Sequence, residues 1–166
     1  MLIKMKIAGI TIDPITSTPI VILKDLEEKR AIPIWIGLFE ASAIATQLEK
    51  VSFARPMTHD LIAEILKHLK VEVLRIEINE LKNNTFFADI HLEKDKKVMV
   101  IDSRPSDAIA VALRTDAPIY VDEKVIERSR NVDFGAKSAE LEKLKEDNIL
   151  EFLENLSPDD FGKYKM

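Results

Sequence analysis

Residues 6–12, 19–24 and 31–36 are rich in apolar side chains with an alternating rhythm, which predicts strands at Lys6–Ile12, Pro19–Lys24 and Ala31–Ile36. Asp13-Pro14 and the charged run 25–30 supply the turns between them. After Gly37 the period changes. Leu38, Ala41, Ile44, Ala45 and Leu48 recur at three and four, so a helix follows. A second helix is written more clearly, with Leu61, Ile62, Ile65, Leu66 and Leu69 on one stripe behind Thr58 as N-cap. The same order then returns. Val71–Asn79, Thr85–Glu93 and Lys97–Asp102 read as strands, with a turn at Asn83-Asn84, and Ser106–Arg114 reads as a short helix. Pro118–Val121 reads as one more strand and Glu123–Ser129 as the start of a short helix.

The repetition extends to single positions. Moved back by 67, residues 71–116 fall on 4–49 without a gap: Asp107-Ala108 meets Glu40-Ala41, Ile101 meets Ile34, Ile90 meets Leu23 and Thr85 meets Thr18. A duplicated β-β-β-α unit is the expectation, with the two related helix starts facing a shared region. Three strands then a helix, twice over, is neither a βαβ alternation nor an all-β pattern. It predicts an α+β fold whose sheet is largely antiparallel or mixed, covered by packed helices. The expected domain spans residues 1–130. Residues 131–166 form an appendage in which Leu141, Leu144, Phe152 and Leu156 stand at roughly helical spacing, an amphipathic tail that would dock on the body or on a second subunit.

Composition narrows the function classes. At 166 residues, 46% hydrophobic and 32% charged, the chain has enough apolar mass for a proper core. With no cysteine, disulfides, thiolate metal sites and a cysteine nucleophile are excluded. No apolar run approaches membrane-spanning length and no signal-peptide core precedes the first strand, which points to a soluble cytoplasmic protein. The net charge of −5 argues against broad nonspecific nucleic-acid binding, although a local basic cleft fits within it. Abundant Lys and Glu with a single glutamine, Gln47, lean towards a thermophilic source.

Candidate chemistry sits in two segments that look alike. Arg55-Pro56-Met57-Thr58-His59-Asp60 and Ser103-Arg104-Pro105-Ser106-Asp107 each place Arg-Pro ahead of a hydroxyl, an acid and an apolar helix. One reading is structural: Pro sets the entry, Thr58 or Ser106 caps free amides, and Asp60 or Asp107 complements the helix dipole. The other is functional. A helix N-terminus beside an arginine is an oxyanion site, so Arg55, Arg104, Thr58 and Ser106 are candidate phosphate ligands. Asp60 and Asp107 can bind Mg²⁺ or Mn²⁺, Glu40 supplies a third carboxylate, and His59 can move a proton. Metal, acids and arginine together equip a site for phosphodiester hydrolysis. With only four glycines and no P-loop, nucleophile elbow or dinucleotide turn, the enzyme classes built on those motifs drop out.

Three other features carry blander readings. Asp89, His91 and Glu93 share one face of a strand and resemble a metal triad, but Ala88, Ile90 and Leu92 opposite them make a solvated strand face the expected role. Trp35 can stack a base, yet a core or subunit-interface position is the expectation. His68, beside Lys67 on a polar helix face, carries no expected role.

Taken together the segments resemble the bifunctional nuclease domain family. The resemblance rests on Ile32-Pro33-Ile34-Trp35-Ile36-Gly37, Glu40-Ala41 and Ile44-Ala45, then on residues 55–61, on Asn84-Thr85-Phe86-Phe87-Ala88, on residues 103–110 and on Ala117-Pro118-Ile119-Tyr120-Val121. It covers roughly residues 5–130, and the tail 152–161 resembles the end of bacterial members. It implies cleavage of both DNA and RNA, an activity attributed mainly to plant relatives with additional regions. It brings no catalytic machinery of its own, so the roles of Arg55, His59, Asp60, Arg104 and Asp107 rest on their chemistry. Two functions stay open: a divalent-metal nuclease acting on nucleic acid, or a non-catalytic module binding a small anion or a protein. The alanine-rich helices and amphipathic tail point to a homodimer in either case.

Overall fold

The computed structural model describes residues 1–131, and the tail lies outside them. Its strands are β1 (Leu2–Ile12), β2 (Pro19–Asp25), β3 (Ala31–Trp35), β4 (Glu72–Lys82), β5 (Thr85–Lys94), β6 (Lys97–Ser103) and β7 (Ile119–Asp122). The helices are α1 (Leu38–Leu48), α2 (Thr58–His68), α3 (Pro105–Thr115) and α4 (Glu123–Asn131). All seven strands join one mixed sheet in the order β3-β2-β1-β7-β4-β5-β6, an α+β architecture. Each half is an antiparallel meander, and β7 links them, running antiparallel to β1 and parallel to β4. The order β-β-β-α occurs twice. Moved 67 positions along the chain, the limits of α1 become those of α3.

Two strands run longer than the alternation predicts. β1 starts at Leu2 rather than Lys6, because residues 2–5 pair with β7 (Leu2 with Asp122, Met5 with Ile119), a partner far away in sequence. β4 continues past Asn79 to Lys82 through register shifts at Val73/Arg75 and Ile78/Glu80. An extra residue there resets which face the side chains take, so the sequence rhythm stops where the strand does not.

Burial explains the packing. Ile76, Ile78, Ala88, Ile109 and Val121 are fully buried beneath α3, α4 and the sheet, and Val21, Leu23, Ile32 and Ile44 complete one continuous core. The helix layer reads α1, α3, α2, since α3 touches both others; α1 lies on β2, and α3 lies on β4 and β5. The nine-residue α4 touches both β3 and β4. Those strands stand four places apart in the sheet, about 19 Å if it were flat, so the sheet must coil strongly to bring them to one short helix.

α2 departs from the pattern. None of its residues is buried, and Leu61, Ile62, Ile65 and Leu69 of its apolar stripe stand exposed. Only Leu66 reaches inward, to Val73, Leu92 and Val111. Its position therefore rests heavily on polar contacts with α3.

Candidate active site

Three helices of the layer begin in one region, and each carries an acid three residues past its N-cap. The pairs are Gly37 with Glu40 in α1, Met57 with Asp60 in α2, and Arg104 with Asp107 in α3. This corrects the expected caps. Pro105 holds the first helical position of α3, as its locked φ and missing N–H favour, so the cap is Arg104 rather than Ser106. At α2 the cap is Met57 rather than Thr58, and the Met57 amide donates to Asp60 Oδ2 at 3.0 Å. Ser106 is buried and Thr58 exposed.

One chain of hydrogen bonds ties the three helix starts together. Arg104 Nη2 donates to Glu40 Oε1 at 2.8 Å, and its Nε donates to Asp107 Oδ2 at 2.7 Å. The other Asp107 oxygen lies 2.9 Å from His59 Nε2. The two Arg-Pro segments thus converge, with Glu40 drawn in from the third helix. A Cβ at Gly37 would overlap Glu40 Oε2, so a larger residue there would push the carboxylate out of its present position.

The electrostatics follow from these contacts. Burial pushes the Asp107 carboxyl up, but the hydrogen bonds and charges of Arg104 and His59 outweigh it and hold Asp107 below the ordinary carboxylate range. Asp60 is likewise raised by burial and lowered further by Arg114 and the Met57 amide, for a net depression. Its bonds to Asp107 and then Glu40 raise Arg104 above its usual value. An ionised Asp107 can only accept, so His59 Nε2 carries the hydrogen and donates. That leaves Nδ1 as the ring nitrogen able to take a proton. The His59 side chain is 12% exposed, whereas Arg104 is 67% exposed and presents its guanidinium to solvent while held at two points.

Asp60 has a different duty. Arg114 Nε donates to it at 2.6 Å, and the same guanidinium caps the Ala110 and Ala43 carbonyls at 3.0 and 2.9 Å. Arg114 is 6% exposed and pins α1, α2 and α3 together. This residue was missed in the sequence. The available signal was its place seven residues after Asp107, on the same face of an alanine-rich helix.

The metal-binding expectation does not fit the site. Asp60 is committed to Arg114 and Met57, Asp107 to His59 and Arg104, and a guanidinium stands between Asp107 and Glu40. Among the described residues no group of three or more His, Asp and Glu side chains is arranged to hold a metal ion. That includes Asp89, His91 and Glu93. Their strand face is not the open one expected, since His91 and Glu77 are nearly buried. His91 Nε2 lies 3.3 Å from Glu77 Oε1, off the direction a hydrogen bond needs. His68 bonds the Glu64 carbonyl one turn back.

Arg55 is exposed and has no hydrogen-bond or ion-pair partner among the described residues. A cavity of about 330 Å³ opens beside Arg104, lined by Trp35, Gly37, Asn84, Phe86 and Ser106. Trp35 donates from Nε1 to Asp13 at 3.1 Å. The residues around this cavity belong to the motifs that mark the family in the sequence, and the pattern of the bifunctional nuclease domain matches residues 21–133. The chain belongs to the bifunctional nuclease domain family. An uncharacterized protein of Mycobacterium tuberculosis is 35% identical over 167 residues, 95% of this chain and 97% of the relative. Bifunctional nuclease 2 of Arabidopsis thaliana is 29% identical over 93 residues, 54% of this chain but 28% of the plant protein. Bifunctional nuclease 1 of Oryza sativa subsp. japonica is 23% identical over 97 residues, 29% of its length. The matched part of this bifunctional nuclease domain is thus less than a third of either plant protein. Among the described residues no helix is long and apolar enough to cross a membrane.

Acid should weaken this arrangement. Asp60 and Asp107 titrate lower in the folded chain than in the unfolded one, so their contribution is complete above the ordinary aspartate value and is lost as pH falls through the folded values. The melting temperature is expected to hold steady from pH 7 to about 5 and to fall below about pH 4. An Asp60→Asn/Asp107→Asn variant should show a shallower acid limb in the same thermal scans.

Proposed function

We propose that the chain hydrolyses phosphodiester bonds of DNA and RNA at the Glu40–Arg104–Asp107–His59 cluster. The observation that carries this reading is the state of Arg104, open to solvent yet oriented by two carboxylates, one of which also orients His59. A solvent-facing guanidinium fixed in direction suits a phosphate. Arg55 adds a second cation, and the cavity beside Arg104 takes the neighbouring nucleotide. A water attacking phosphorus gives its proton to His59 Nδ1, the bond to the leaving oxygen breaks, and that oxygen takes a proton from solvent. No 2′-hydroxyl takes part, so DNA and RNA both qualify. No step passes through a metal ion, because the carboxylates that would hold Mg²⁺ or Mn²⁺ already serve guanidiniums.

A second reading has its own support. Asp60 is bonded inside the protein to a buried arginine, the mark of a structural motif. On that reading Arg104 and Arg55 hold an anion without cutting it. We further read the two β-β-β-α runs as copies of one unit, the exposed α2 stripe as the sign of a homodimer, and the cytoplasm as the setting of this cysteine-free chain.

Purified full-length protein should cleave labelled DNA and RNA, and EDTA should leave the rate within a few-fold of that in Mg²⁺ or Mn²⁺. Arg55→Ala should raise KM several-fold with little change in kcat, since among the described residues Arg55 has no other partner. Cleavage abolished by EDTA would overturn the metal-free step. No cleavage under any condition would leave the anion-binding module.

A further inference from the structure

The sheet has two edges, and they are finished differently. β3 is five residues long, carries Pro33, buries Ile32 and Ile34, and touches α4. Those are ordinary ways to stop an edge strand from pairing with another chain. β6 has none of them. It is seven residues long without proline, and Val98, Met99, Val100 and Ile101 are consecutive and all exposed, so among the described residues both faces of the edge are apolar and uncovered. Surface of this kind continues towards α2. Met99 pairs with Leu92, and Leu66 of α2 packs against the cluster that contains Leu92, while the rest of the α2 stripe is exposed.

We propose that β6 pairs antiparallel with β6 of a second copy, about a two-fold axis at Val100, joining two seven-stranded sheets into one. Three features favour a second copy as the occupant. Val100 is the midpoint of Lys97–Ser103, so this axis uses the whole strand, setting Met99 against the partner's Ile101 and Lys97 against the partner's Ser103. Within the strand the charged residues are Lys97 at one end and Asp102 at the other. The antiparallel register sets Lys97 opposite the partner's Ser103 and Asp102 opposite the partner's Val98, whereas in-register parallel pairing sets like beside like. The area is also sufficient. The half-exposed side chains of β6 and the α2 stripe offer on the order of 800 Å² per copy, one partner's share of a standard interface.

The pairing would reach the site. β6 runs directly into Arg104, so the partner's Lys97 comes opposite Ser103, one residue from the guanidinium, and adds a cation where the phosphate would lie. The two Arg104 residues would stand about 26 Å apart along the strands, at about 3.3 Å per residue. This last consequence rests on the nuclease proposal, and the interface itself deepens the homodimer reading.

The chain has no cysteine, so a single introduced thiol reports the pairing directly. Val100→Cys in the full chain should form a disulfide-linked dimer under mild oxidation, because residues facing each other across such an axis have Cα atoms about 5 Å apart. Leu26→Cys, on the exposed β2–β3 turn, should not. Val100→Lys should raise the dimer dissociation constant at least about 100-fold by sedimentation, through like charges facing across the axis, with unchanged circular dichroism. A wild-type dimer that Val100→Lys leaves intact, or that Val100→Cys fails to link, overturns this interface and leaves the homodimer reading standing. A monomeric wild type overturns both. If β6 amides in that monomer resist hydrogen exchange, the surface belongs to residues 132–166.

Discussion

Asp107→Asn should lower the cleavage rate by about 10²–10⁴-fold, the range for losing an oriented acid–base group, while the protein stays folded. The change keeps the shape of the side chain and removes its charge. Asp107 accepts from Arg104 on one oxygen and from His59 on the other. An amide offers one acceptor and one donor, so a bond must be lost. If the amide nitrogen faces His59, the ring must present an acceptor at Nε2 and move its hydrogen to Nδ1, the atom that should accept a proton from water. If it faces Arg104, the guanidinium loses half of its tether. His59→Gln should cost a similar factor, and the double variant should be little worse than either single one, because the two residues act as a unit. Rates within two-fold of wild type in both single variants would remove this cluster from the chemistry. The readout is kcat in single-turnover cleavage, with circular dichroism as the control for folding.

The largest effect on stability should come from Arg114→Ala, at about 3 kcal/mol, the lower end for breaking a buried ion pair because Asp60 keeps some contact with water. For a chain of this size that is a fall in melting temperature of about 10 °C. The substitution leaves Asp60 without its cation and takes the guanidinium bonds away from the Ala43 and Ala110 carbonyls, which keep only their partners within their own helices. Arg114→Lys should recover little, because one ammonium cannot reproduce a planar fork reaching three acceptors. Hydrogen exchange should show the loss concentrated in α2, which buries no residue of its own and leans on this contact and on His59. A double-mutant cycle with Asp60→Ala isolates the pair. Coupling below about 0.5 kcal/mol would show that α2 is held by something else.

Much of the architecture was legible in the sequence for a local reason. Alternation, the shift to a period of three and four after Gly37, and the turn residues are all properties of neighbours, and they marked every strand and helix among the described residues. What was hidden depended on partners distant in the chain. The first turn of β1 is a strand only because β7 lies beside it, and the bulges of β4 erase the alternation that would have announced its end. The site divides in the same way. Its residues were visible as the two Arg-Pro segments plus Glu40, and their convergence was an expectation that the His59–Asp107 bond meets. The separation of Asp60 from that cluster was not visible, because it depends on Arg114 reaching across from the far end of α3. Nor was the commitment of the acids to guanidiniums. A row of carboxylates in a sequence looks the same whether it awaits a metal ion or already has a cation.

The placement of β7 sets a condition on how the chain comes together. Residues 119–122 form the strand between the two halves, and β1 pairs with it across almost the whole described chain. During synthesis both meanders emerge before the strand that joins them. Each can zip up its hairpins early, since those contacts are local, but the sheet cannot close until the last of its strands has left the ribosome. Contacts of such long sequence separation are costly to form, and they make the final step the slow one. Until that step, the inner edges of β1 and β4 are open to the wrong partner, and a chain released before residue 122 would keep them so.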